Sequence, residues 1–117
     1  MEFDFEKLHV YQKALDFADQ VFTICDKLPI NVQSSLGDQL RRASLSITNN
    51  LAEGSGQSSF RKKQCFYEIA LNSCRESVPV LALFERRELV SQEEATVLKE
   101  CCFEMCKMMR GLIRAAK

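Results

Sequence analysis

Residues 34–54, SSLGDQLRRASLSITNNLAEG, decide how the rest of the 117-residue chain is read, because here the polar residues are as patterned as the apolar ones. Leu36, Leu40, Ala43, Ile47 and Leu51 recur at the spacing that lines one face of a 3.6-residue helix. Gln39, Arg42, Ser46, Asn49, Asn50 and Glu53 form a polar stripe along its flank, while Leu45 and Ala52 point the opposite way from the apolar face. Ser35 with Asp38 three residues on reads as a helix start, and Gly54 reads as a left-handed stop. The segment is thus expected to be an amphipathic helix from about Ser35 to Gly54.

Toward the N-terminus, residues 5–28 read as a first helix with two apolar series, Leu8, Tyr11, Leu15, Ala18, Phe22, Cys25 and Val10, Ala14, Phe17, Val21, Ile24. Together they cover more than half its circumference, so this helix is expected to touch bundle neighbours on one side and something else on the other. Pro29 ends it, and Asn31 to Ser34 form a short connection. Toward the C-terminus, Gly54 to Ser58 form a turn, and a third helix starts at Ser58 or Ser59. It carries Phe66, Ala70, Ser73, Cys74, Ser77, Leu81 and Phe84 inward, widened by Tyr67, Leu71 and Val78. Pro79 predicts a kink rather than a reversal, and Leu89 and Val90 lie in the next turn. Ser91 with Glu94 makes a capping box for the last helix, whose seam is Leu98, Cys102, Met105, Met109 and Leu112. Its basic end, Lys107, Arg110, Arg114 and Lys117, complements the helix dipole. No strand pattern appears. The expected fold is all-α, an antiparallel up-down-up-down four-helix bundle formed by one domain over residues 1–117.

Sixteen basic and sixteen acidic residues cancel, which removes a global field toward nucleic acid or membrane. The middle is locally basic, with two acids and five bases over residues 31–63. Glu2, Asp4 and Glu6 exclude a secretory opening, and no apolar run reaches membrane-spanning length, so a cytoplasmic location is expected. Six cysteines in helical apolar patterns read as reduced packing residues. With a single histidine, His9, and no CxxC pair, no zinc site is expected. Glu6 and His9 match one half of a di-metal ExxH pattern, but a second half is missing, and the lone histidine supports no triad. The Gly54–Gly56 turn lacks the context of a dinucleotide loop. These readings predict no catalytic residues, cofactor, metal or small-molecule substrate.

Three residue sets remain. The polar stripe, Gln39, Arg42, Ser46, Asn50 and Glu53, is expected to form a structural network internally or with Ser73 and Glu76, since unpaired polar groups beside an apolar face are costly. Leu45 and Ala52 are candidate oligomer contacts. Arg61, Lys62 and Lys63 occupy the first turn of the third helix, where the dipole disfavours cations, and with Arg41 they are candidate anion or nucleic-acid contacts. A phosphate, acids of a neighbouring chain, or plain solvation would each account for them.

Gln39-Leu-Arg-Arg-Ala43, Ser46-Ile47 and Asn50-Leu-Ala-Glu-Gly54 resemble the signature of the four-helix-bundle proteins encoded in intervening sequences of bacterial 23S rRNA genes. Phe5, Leu8, Gln12, Lys13 and Ala14, the proline after the first helix, and Ile69-Ala70 with Ser73 and Glu76 extend the resemblance over nearly the whole chain. Thr48 and Asn49 stand where the family often has proline and alanine, and Asn72 where a glycine commonly precedes the serine. The resemblance implies a homopentamer without established enzymatic activity. A related branch, accessory proteins of diversity-generating retroelements, forms basic pentamers that bind nucleic acid and a reverse transcriptase. The neutral charge here argues against that branch, and a self-assembling interaction scaffold fits better than a nucleic-acid-binding accessory protein.

Overall fold

In the computed structural model, which describes residues 1–116, four long helices account for most of the chain. Lys117, read above as part of the basic end of the last helix, lies outside the described residues. A 3-10 turn at Asp4–Lys7 leads into α1, His9–Cys25. The expected single helix over 5–28 is therefore shorter. Leu8 breaks it with an extended backbone, and its end tightens through Lys27 and Leu28, whose N–H groups donate to Ile24 and Cys25.

Helix α2, Asp38–Ser55, differs at both ends from the sequence expectation. Helical backbone already begins at Ile30–Val32, with extended Pro29 before it, and continues through a π-helical turn at Gln33–Gly37. Asn31 to Ser34 are thus helical rather than a connection. Ser35 does not cap α2, because its hydroxyl donates to the carbonyls of Asn31 at 2.8 Å and Val32 at 3.3 Å instead of accepting from an N–H. The stop is not a left-handed Gly54 either. Gly54 is helical and buried, and the cap, Gly56, has φ −83°. What Gly54 provides is closeness: a Cβ there would meet the Tyr67 ring at 2.6 Å and 2.8 Å.

Helix α3, Phe60–Arg86, starts where expected, with the Ser59 hydroxyl accepting from the Lys62 N–H, and runs through Pro79 without reversing. Its inward face is rotated slightly from the expected one, with Tyr67 buried and Phe66 only half-buried. It ends in a Schellman arrangement: Leu89 N–H donates to Phe84, Glu88 N–H to Glu85, and Glu88 takes φ 59°. Helix α4, Gln92–Ala115, begins with both halves of the Ser91–Glu94 capping box in place.

α1 packs on α2, α2 on α3, α3 on α4, and α4 back on α1, which is the arrangement of an antiparallel up-down-up-down four-helix bundle. The bundle measures 43 × 26 × 21 Å. Phe17, Leu40, Ile47, Leu51, Leu81, Phe84, Leu98, Met105 and Met109 are its largest fully buried side chains. Among the described residues no helix is long and apolar enough to cross a membrane.

Candidate interaction surface

The structure draws together part of the polar stripe. Ser46 and Ser73 hydroxyls meet at 2.8 Å across α2 and α3, and the Asn50 amide donates to the Ser46 carbonyl and hydroxyl at 2.8 and 3.1 Å. Ser77 donates back to the Ser73 carbonyl. Gln39, Arg42, Glu53 and Glu76 lie exposed, and among the described residues their side chains have no hydrogen-bond or ion-pair partner. The two serines meet at one level of the α2–α3 contact, and Asn50, one turn along from Ser46, joins them there.

The organising cation is Arg41, one position away, and it is engaged within the chain. Its side chain, 16% exposed, donates to the Gln33 carbonyl at 3.3 Å and side chain at 3.3 Å. It also pairs with Asp38 at 3.3 Å and Asp26 at 3.5 Å, and lies over the Phe22 ring. With these partners the guanidinium is spent on holding the π-helical turn against the end of α1.

Lys63 is also occupied. Its ammonium donates to the carbonyls of Gly54 at 3.2 Å and Ser55 at 3.1 Å, the negative end of α2. The dipole of its own helix disfavours it, but that of its neighbour holds it. Next to it, the Gln64 amide caps the other neighbour, donating to Ile113 of α4 at 3.1 Å and to Ala116, which follows that helix, at 2.8 Å. Sequence spacing gave Gln64 no weight, since its partners lie 49 and 52 residues away. Arg61 and Lys62 remain exposed, without ion-pair partners among the described residues.

Leu45 sits on the outer side of α2, 43% exposed, with Ala52 half-buried on the same side. With Leu15, 41% exposed, Ala18 and Phe22 it lines an apolar groove of about 520 Å³ between α1 and α2, edged by Asp16 and Asp19. A different apolar site lies on α4, where exposed Phe103 carries the Lys107 ammonium 4.5 Å above its ring.

All six cysteines are free thiols, four of them buried. Burial raises the pKa of Cys25 and Cys101, and hydrogen bonding to Cys102 together with burial pushes Cys74 up. Burial and the adjoining Cys74, 3.7 Å away, raise Cys106 to about 11. Each shift favours the unreactive thiol. His9 is exposed at the start of α1, and no cluster of potential metal ligands occurs among the described residues.

Residues 6–111 match the sequence profile of a family described as 23S rRNA-intervening sequence protein. The fold is similar to the crystal structure of a protein of unknown function from the S23 ribosomal protein family of Bacteroides thetaiotaomicron. The TM-score is 0.82 at 25% identity, covering 90% of this chain and 95% of that one. No functionally curated protein matches. A bundle with this connectivity and a profile match over nearly its full length lead to one conclusion: the chain belongs to the 23S rRNA-intervening sequence protein family.

Proposed function

We propose that this protein is a non-enzymatic, self-assembling interaction scaffold of the cytoplasm, with the pentamer that the family resemblance implies. The observation that carries the reading is the α1–α2 groove, where Leu15, Phe22 and Leu45 form an apolar surface that a monomer leaves wet. The apolar site at Phe103 lies elsewhere on the bundle, so contact between two unlike faces would be head-to-tail, the kind that closes into rings. A non-enzymatic role is supported by the direction of the thiol shifts, all toward the protonated, inert form.

Leu45→Glu should abolish self-association while leaving helicity intact, because a charge desolvated in an apolar contact costs more than one in water. Light scattering with circular dichroism reads both, and a wild-type monomer at tens of micromolar would sink the proposal. The second reading, a nucleic-acid-binding accessory protein, has exposed Arg61 and Lys62 in its favour. It is weakened by the internal commitments of Arg41 and Lys63. Electrophoretic mobility at two salt concentrations tests it, and no retardation of RNA or duplex DNA at low salt removes it.

A further inference from the structure

A second groove, of about 390 Å³, lies between the C-terminal half of α1 and the first turns of α4. Its floor is apolar, formed by Ile24 at the core's edge and by Val97, 53% exposed. Asp19, Glu93, Glu94 and Lys27 also line it. Glu94 is engaged in the capping box. The carboxylates of Asp19 and Glu93 have no hydrogen-bond or ion-pair partner among the described residues, and Lys27 is paired with neither. In a chain of zero net charge this is a locally acidic apolar trough, three acids to one base.

We propose that this groove docks a cationic amphipathic helix from a partner protein. An aliphatic side chain of the partner rests on Val97 and Ile24, and a lysine or arginine lies between Asp19 and Glu93. Both requirements are met by one residue type, because lysine and arginine lay an apolar stem along apolar surface while the charged head reaches outward. The trough between two helices suits a helix anchored at i and i+4. A nucleic acid would meet the carboxylates head-on, and a neutral apolar ligand would leave both unanswered. The inference rests on the interaction-scaffold reading for its purpose but not on self-assembly: the two grooves share Asp19 at their edge, whereas Leu45 lines only the other groove and Glu93 and Val97 only this one.

The test titrates the full chain against a fluorescent Leu/Lys amphipathic peptide of about four helical turns, with the Leu/Glu counterpart as control, reading anisotropy at low and high salt. The Lys peptide should bind, more weakly at high salt, and the Glu peptide should not. Glu93→Gln and Val97→Ser, both at exposed positions and checked for unchanged helicity, should each weaken binding severalfold to about tenfold. Leu45→Glu should leave peptide binding unchanged whether or not it alters assembly. Equal binding of the Glu peptide, unaltered affinity in both groove variants, or loss of peptide binding in Leu45→Glu would overturn the proposal. A monomeric wild type that still binds the Lys peptide would sink self-assembly and leave the groove standing.

Discussion

Arg41 and Arg42 are neighbours in sequence and opposites in consequence. Truncating Arg41 leaves the part-buried Gln33 carbonyl without this donor and uncovers Phe22, while Asp38, 47% exposed, turns to water, so Arg41→Ala should destabilise by about 1–2 kcal/mol. Arg42→Ala, at an exposed residue without partners, should stay within about 0.5 kcal/mol. Urea denaturation of the two variants side by side checks the contrast, and similar midpoints would contradict it. The i,i+3 spacing of Asp38 and Arg41 was legible in the sequence. Gln33 reaches Arg41 along the same run of helical backbone through a π-helical turn, and Asp26 reaches it across a chain reversal; neither approach is announced by spacing. Apolar residues reveal which way a helix faces its core. They do not reveal at which level a flank meets its neighbour, and so of the expected network of Gln39, Arg42, Ser46, Asn50, Glu53, Ser73 and Glu76 only Ser46, Asn50 and Ser73 come together.

At the scale of the helix, local capping signals hold where the capping residue itself is extended. Ser59 and Ser91 both have extended backbone, and each accepts an N–H as expected. Ser35 carries the same pattern, yet Pro29 has already started the helix upstream, so its hydroxyl turns to carbonyls instead. Gly54 misled for a related reason: glycine ends helices, but it also lets two helices approach, and only the Tyr67 ring beside it decides between the roles. The consequence is measurable. If Gly54 were a left-handed cap, alanine would be strained by its backbone. Since it is helical, alanine is disfavoured only by collision, and Gly54→Ala should cost about 1–3 kcal/mol. Gly54→Ala combined with Tyr67→Leu, which removes the obstructing ring, should cost less than the two single changes added, as a thermal double-mutant cycle would show. Strict additivity would contradict the contact.

For the whole molecule, the bundle was legible because four apolar stripes of helical period, joined by short turns, admit few other arrangements. Its outer grooves were not, because a cleft depends on how two helices stand against each other. Leu45 was visible in the sequence as an outward residue, whereas Val97 was not singled out at all. The buried thiols give the molecule a pH limit. Burial holds the folded-state pKa of Cys106 at about 11, above the 9.0 of an ordinary thiol in the unfolded chain. Between those values the unfolded state releases a proton that the folded state keeps, so the associated stability is complete below pH 9.0 and is lost as pH rises through about 11. Urea midpoints should therefore fall over that interval, and a flat profile would show that the thiol ionises freely when folded. A last consequence follows from Lys63 and Gln64. Four helices in the same up-down order can wind around their axis in either sense, and similar apolar stripes serve both. Adjacent residues of α3 diverge by about 100° in one rotational direction, so a lysine reaching the end of α2 beside a glutamine reaching the end of α4 sets those helices on sides that cannot be exchanged. In the mirror winding each side chain would face the wrong helix, so the dipeptide favours one handedness of the bundle over the other.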